Sequence, residues 1–87
     1  MAYTVELSNR AKRDLASLSA ELQTRIIKAL RTLETNPRPS GIEKLKGENN
    51  AYRLRVGDYR ILYEVYDKVL LVLVVKIGHR REVYRKR

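Results

Sequence analysis

The segment YRLRVGDYRILY, residues 52–63, decides the fold of this chain. Polar and apolar residues alternate on both sides of Gly57 and Asp58, and a period of two is typical of β-strands that bury one face. A two-residue link of this composition closes an antiparallel hairpin. We therefore predict paired strands at residues 52–56 and 59–65, with Gly57 and Asp58 as the turn.

This turn determines which side chains of the hairpin share a face. The apolar cross-strand pairs, which should meet the core, are Val56 with Tyr59, Leu54 with Ile61, and Tyr52 with Tyr63. On the other face Arg53 should pair with Leu62, and Arg55 should lie opposite Arg60. Like charges in this arrangement destabilise a sheet by roughly 0.2–1 kcal/mol, which is understandable if an anion binds between them. The alternative is that both guanidinium groups extend into water or pair with Glu64 and other nearby carboxylates.

The residues before the hairpin predict one strand and two helices. Residues 3–7 alternate and read as a strand. Ser8 or Asn9 can cap a first helix and Ser19 a second, and the apolar residues that follow recur at steps of three and four. The second helix should end near Asn36, where a loop rich in proline begins. At this length the two helices form an antiparallel hairpin.

The residues after the hairpin predict the last strand. Asp67 and Lys68 make a turn, and residues 69–77 form an apolar run that we interpret as a central strand buried on both faces and ended by Gly78. The prediction is an α+β fold in the order β-α-α-β-β-β, a small twisted, mostly antiparallel sheet with the two-helix hairpin on one face. Residues 1–87 should form a single domain.

Charge is the most informative part of the composition. The chain has 87 residues and a net charge of +9, and it contains no cysteine. A small domain this basic attracts polyanions, although charge also serves solubility. Without cysteine there are no disulfides or thiolate metal sites. The first residues lack a signal-peptide pattern and no apolar run could span a bilayer, so we expect a cytoplasmic protein without a membrane partner.

The last twelve residues are dense in positive charge. His79 and Tyr84 are interspersed among the basic residues of this tail, which are Lys76, Arg80, Arg81, Arg85, Lys86 and Arg87. Such a mixture suits single-stranded RNA, because arginine contacts phosphate and a tyrosine ring can stack on a base. His79 is the only histidine, and its role is either structural or catalytic. No second histidine or paired carboxylate is available for a metal site, and no cofactor is expected.

Three segments together resemble the RelE/ParE toxin superfamily, and its RelE branch most of all. They are KLKG at residues 44–47, the hairpin at 52–63, and IGHRREVY at 77–84. The resemblance implies the toxin half of a type II toxin–antitoxin pair, with a cognate antitoxin as partner. RelE-type toxins cut messenger RNA in the ribosomal A site, whereas ParE-type toxins inhibit DNA gyrase. A gyrase inhibitor and a noncatalytic nucleic-acid-binding module are therefore the alternatives.

The resemblance also implies the site residues. The catalytic group would consist of Arg53, Arg55, Arg60, Arg80 and Tyr84, with His79 as a further candidate. Additional contacts to the nucleic acid would come from Lys44, Lys46 and Arg81. The implied chemistry needs no metal: the 2′-hydroxyl attacks the adjacent phosphate and leaves a 2′,3′-cyclic phosphate. Some RelE enzymes have lysines where this chain has Arg53 and Arg55, and arginine is a poor general base, so the acid and base stay open.

Overall fold

The computed structural model describes residues 2–47 and 50–79 and confirms the predicted α+β fold. Its elements are β1 (Thr4–Leu7), α1 (Asn9–Ala16), α2 (Ala20–Thr32), β2 (Glu43–Lys44), β3 (Ala51–Val56), β4 (Tyr59–Tyr66), a 3₁₀ turn (Asp67–Val69) and β5 (Leu71–His79). The sheet has the order β1-β5-β4-β3-β2, with β1 parallel to β5 and the other pairs antiparallel. The short strand β2 is an addition to the predicted order.

Serine side chains start both helices. Ser8 Oγ accepts a hydrogen bond from the amide of Ala11 at 3.0 Å, and Ser19 Oγ accepts one from the amide of Leu22 at 3.2 Å. Each bond satisfies an amide that the first helical turn leaves without a partner, and such a cap is worth about 1 kcal/mol. Of the two caps considered for α1, the structure therefore selects Ser8.

The core lies on one face of the sheet, beneath both helices. It is formed by Ala11, Ile26, Leu30, Leu33, Tyr52, Ile61, Tyr63, Val65, Val72, Val74 and Ile77. Neither α1 nor α2 covers the other face, which carries the arginines of the hairpin and which we call the open face. The predicted packing of both helices on one side is confirmed, and within the described residues neither helix lies on the open face.

Strand β5 differs from its prediction at both ends. It starts at Leu71 rather than 69, because the 3₁₀ turn occupies Asp67–Val69. It continues through Gly78 to His79, so the expected break at Gly78 is wrong. The extension is supported by α1, since the amide of Ile77 donates to Asp14 Oδ2 at 3.0 Å, beyond the last pair of β5 with β1, Leu7 with Val74.

The expected burial of β5 on both faces is also wrong. Val72 and Val74 are fully buried against the helices. Leu71, Leu73 and Val75 project to the open face and are only half-buried. Central position in the sheet, between β1 and β4, is confirmed, but an apolar run does not by itself reveal whether both faces are covered. Within the described ranges no helix is long and apolar enough to cross a membrane.

Candidate functional site

The hairpin has the register that its sequence predicts. The confirmed cross-strand pairs are Val56 with Tyr59, Leu54 with Ile61, Tyr52 with Tyr63, Arg53 with Leu62, and Arg55 with Arg60. Gly57 has a φ of +60°, which allows the two-residue turn, and a Cβ there would lie 3.3 Å from the guanidinium of Arg25. Glycine at this position therefore fixes the register that places Arg55 opposite Arg60.

Three arginines of the hairpin converge on one pocket of the open face. This arginine pocket has a volume of about 170 Å³ and is lined by Gly41, Glu43, Arg53, Arg55 and Arg60. The size and the charge of its walls suit a small anion such as a phosphate group. The sequence predicts that these three arginines share one face of the sheet, and in the structure they also line the same pocket.

Arg60 is the most buried of the three. It is 7% exposed and is the one buried charged residue among those described. Its Nη1 donates to the backbone carbonyl oxygen of Tyr59 at 3.4 Å, and its neighbour in β5 is Gly78, which has no side chain to occupy the space beside it. Arg60 therefore places a guanidinium group in the wall of the pocket, where little of it is exposed to water.

Glu43 contributes a carboxylate that sequence reasoning missed. Its Oε1 accepts hydrogen bonds from Arg53 Nε at 3.2 Å and from Arg53 Nη2 at 2.5 Å, across the β2–β3 ladder. Strand β2 has two residues, and a strand that short leaves no periodic signal in the sequence. Arg53 therefore holds a carboxylate at the wall of the pocket in addition to lining it.

The loop that leads to Gly41 and Glu43 is tied down at Arg38. Arg38 donates to both carboxylate oxygens of Asp67, at 3.1 and 2.8 Å, and its Nε donates to the hydroxyl of Tyr52 at 2.9 Å. These bonds raise the pKa of Arg38 above its ordinary value, with the bond to Asp67 as the largest cause. These hydrogen bonds join the loop to β3 and to the β4–β5 connection. They therefore fix the position of the loop that leads to Gly41 in the pocket wall.

Asp67 and two tyrosines complete this anchor. The Tyr3 hydroxyl donates to Asp67 at 2.6 Å, and Tyr63 donates to the carbonyl oxygen of Pro37 at 2.8 Å. Bonds from Arg38 and then Tyr3 hold the pKa of Asp67 below its usual value. The bond to Asp67 raises the pKa of Tyr3, and burial raises the pKa of Tyr63 to about 12.

His79 lies on the opposite side of the sheet from the arginine pocket. It pairs with Tyr59 in the ladder, and the two rings meet edge to face with centroids 5.6 Å apart. Tyr59 packs against the helix-covered core, whereas the next residue, Arg60, belongs to the open face. The structure therefore separates the His79 side chain from Arg53, Arg55 and Arg60, with which the resemblance groups it as a further catalytic candidate.

The remaining predicted residues divide into two groups. Lys44 pairs with Tyr52, so alternation turns it away from the face of Glu43, and Lys46 is exposed in the turn after β2. Neither lines the arginine pocket. Arg80, Arg81 and Tyr84 lie outside the described residues.

Comparison with known proteins identifies the family. A family model for the ParE toxin of the type II toxin–antitoxin system parDE matches residues 5–84. The chain belongs to the RelE/ParE toxin superfamily.

Relatives within the RelE/ParE superfamily indicate the branch. The mRNA interferase toxin RelE of Escherichia coli K12 is 32% identical and is matched over 97% of this chain and 92% of its own length. Toxin RelG of Mycobacterium tuberculosis is 29% identical over 99% of this chain and 100% of its own. The archaeal RelE–RelB complex of Pyrococcus horikoshii contains a similar chain, with a TM-score of 0.82, 30% identity, and coverage of 92% of this chain and 97% of that one. The resemblance to the RelE branch is confirmed.

Proposed function

We propose that this protein is the toxin of a type II toxin–antitoxin pair and that it cleaves messenger RNA in the ribosomal A site. The observation that carries the proposal is the convergence of Arg53, Arg55 and Arg60 on one pocket of phosphate size. A noncatalytic binder needs positive charge over a broad surface, whereas a reaction at one phosphate needs charge concentrated at one point. A relative that is matched over 97% of this chain is named an mRNA interferase, which supports the same function.

The chemistry that suits this pocket is transfer within the RNA strand. The 2′-hydroxyl gives up its proton and attacks the neighbouring phosphorus, and the bond to the 5′-oxygen breaks. The 5′-oxygen takes up a proton from water, so the products are a 2′,3′-cyclic phosphate and a 5′-hydroxyl. Negative charge grows on the nonbridging oxygens, where Arg55 and Arg60 would meet it with charges already in place. The resemblance adds Arg80 as a third positive group and Tyr84 as a ring that stacks on a base.

Glu43 is the residue we assign to proton removal. A carboxylate can accept the proton of the 2′-hydroxyl, and it must lie within hydrogen-bonding reach of that group. Glu43 is the only carboxylate lining the arginine pocket within the described residues, and Arg53 orients it through two hydrogen bonds. The base would thus be Glu43, and His79 would have a packing role against Tyr59. Lys44 and Lys46 would contact RNA backbone outside the pocket, and Arg81 is carried over from the resemblance as a further contact to RNA.

The partner proposed for the toxin is a cognate antitoxin with an acidic segment. A basic, concave site is neutralised most directly by carboxylates that cover it. The match to a RelE chain solved with RelB supports an antitoxin partner of this kind.

Mapping of message ends during translation tests the proposal. Purified toxin added to a reconstituted translation reaction should create new 5′ ends within the A-site codon. Arg55→Gln should reduce their rate of formation by about a hundred- to a thousandfold, as expected for loss of one transition-state donor. Arg31→Gln, which removes the same charge from an exposed position of α2, should cleave normally. Intact messages together with inhibited gyrase supercoiling would instead establish the ParE-like activity.

The mechanism has its own test. A message with a single 2′-deoxy nucleotide on the 5′ side of the cleaved bond should resist cleavage, because the attacking hydroxyl is gone. Phosphorothioate substitution at the same phosphate should slow cleavage equally in Mg²⁺ and Mn²⁺, since no metal contacts the phosphate in this scheme. Rescue by Mn²⁺ would show that a metal ion takes part.

A further inference from the structure

A second pocket adjoins the arginine pocket on the open face. This apolar pocket has a volume of about 190 Å³ and is lined by Leu45, Ala51, Leu62, Tyr63, Glu64 and Val75. Leu62 is the cross-strand partner of Arg53, so the two pockets meet at one rung of the β3–β4 ladder. Directly opposed side chains have Cβ atoms about 5 Å apart. A molecule bound through its phosphate in the first pocket can therefore place its neighbouring group in the second.

The walls of the apolar pocket combine apolar side chains, which form its floor, with one carboxylate. Leu62 and Val75 contribute apolar surface to the pocket, and both side chains are only half-buried. Glu64 also lines the pocket, and its Oε1 accepts a hydrogen bond from the Tyr66 hydroxyl at 2.5 Å. That bond limits the orientations of the carboxylate and does not involve its second oxygen, Oε2. A planar ring with hydrogen-bond donors along one edge matches these walls.

We propose that the apolar pocket binds the nucleobase next to the cleaved phosphate and that Glu64 selects guanine there. The inference rests on the proposed function, because RNA must occupy the arginine pocket for its base to reach this one. An ionised carboxylate only accepts hydrogen bonds. Guanine offers it two adjacent donors, N1–H and the N2 amino group. Adenine and cytosine each place a ring acceptor beside their single amino donor, and uracil places carbonyl oxygens on both sides of its one N–H.

Charge argues against the antitoxin as the occupant of this pocket. The segment that neutralises a toxin of charge +9 is expected to be acidic, and Glu64 would repel its carboxylates. A neutral base with amino donors pairs with Glu64 and stacks its ring on the apolar floor, so both parts of the pocket are satisfied.

The experiment measures single-turnover cleavage of ribosome-bound messages that vary one nucleotide at a time on each side of the cleaved bond. Each position carries guanosine, adenosine, cytidine, uridine or inosine, which is guanosine without the N2 amino group. For one of the two positions the wild type should prefer guanosine over inosine by about five- to 150-fold, the range for a bidentate base contact. Glu64→Gln should lose most of this preference while still cutting the inosine message.

The matched control is Glu6→Gln. Glu6 lies on the same open face, in β1, is exposed, and does not line the apolar pocket. It should keep the wild-type preference. Equal cleavage of guanosine and inosine messages by the wild type at both positions would overturn the base site and leave the ribonuclease standing. Unchanged base preference with weaker neutralisation of Glu64→Gln by coexpressed antitoxin would assign the pocket to the antitoxin. Absence of cleavage in every message would overturn the proposed function and this inference with it.

Discussion

Arg55 lies directly opposite Arg60 across the β3–β4 ladder, and both side chains line the same pocket. The pairing costs stability in the absence of an anion, so Arg55→Gln should raise the free energy of unfolding by roughly 0.2–1 kcal/mol. The same variant should lose cleavage activity. Urea denaturation at low ionic strength and single-turnover cleavage measure the two effects. A variant that is both inactive and less stable would show that Arg55 has a structural role instead.

Glu43 and Arg53 should behave as one unit in catalysis. Glu43→Gln removes the proposed base and should lower the cleavage rate by about a hundred- to ten thousandfold. Arg53→Gln removes the group that orients it, so the double variant should be little slower than Glu43→Gln alone. Single-turnover rates of the four proteins, measured over a range of pH, complete the cycle. If the rate losses of the two single variants multiply in the double variant, Glu43 and Arg53 act independently and the prediction is wrong.

His79→Phe tests the assignment of His79 to packing. Because the ring meets Tyr59 on the helix-covered side of the sheet, an aromatic replacement should keep that contact. Cleavage by His79→Phe should stay near the wild-type rate, while His79→Ala should lower the thermal midpoint. A loss of activity in a stable His79→Phe protein comparable to that of Glu43→Gln would place the histidine in the chemistry.

Asp67 should make stability depend on acid pH. Hydrogen bonds from Arg38 and Tyr3 hold its pKa below the ordinary value of 3.8, so the unfolded chain binds the proton more readily than the folded one. The carboxylate therefore stabilises the fold above about pH 4, and this contribution is lost as pH falls through the lower, folded-state pKa. Urea midpoints measured from neutral to strongly acid pH should fall more steeply for the wild type than for Asp67→Asn. Parallel curves would contradict the prediction.

Tyr63 should have the corresponding effect at alkaline pH. Burial raises its pKa from 10.0 to about 12, so its neutral form stabilises the fold fully below pH 10 and progressively less as pH rises towards 12. The difference amounts to about 3 kcal/mol. Tyr63→Phe removes this dependence, and at neutral pH it costs about 1 kcal/mol because the Pro37 carbonyl loses its donor.

The hairpin is the part of the molecule that sequence predicts best. Alternation, a two-residue turn and Gly57 are all local signals, and together they determine every pair from Tyr52–Tyr63 to Val56–Tyr59. The serine caps are local in the same sense. For the site, these local signals are sufficient to place Arg53, Arg55 and Arg60 on one face of the sheet.

The features that sequence could not predict depend on distant contacts. Glu43 reaches the pocket because Arg38 is held by Asp67, 29 residues further along the chain. Strand β5 continues past its glycine because it pairs with β4 as far as Tyr59 and His79, while Asp14, 63 residues away, binds the amide of Ile77. The side of the sheet on which His79 lies follows from a register shift in β5 that reverses the alternation expected from its sequence. None of these contacts leaves a pattern within a short window.

The parallel pairing of β1 with β5 has a consequence for biosynthesis. Val5 pairs with Val72, so β1 cannot join the sheet until β5 has been translated. The segment from Tyr52 to His79 can assemble as a local meander, but α1 and β1 close the core only afterwards. The arginines of the hairpin thus reach their final environment late in folding. A nascent chain that has been translated only as far as Gly57 lacks β4 and β5, and so lacks the fold that a cleaving toxin would need.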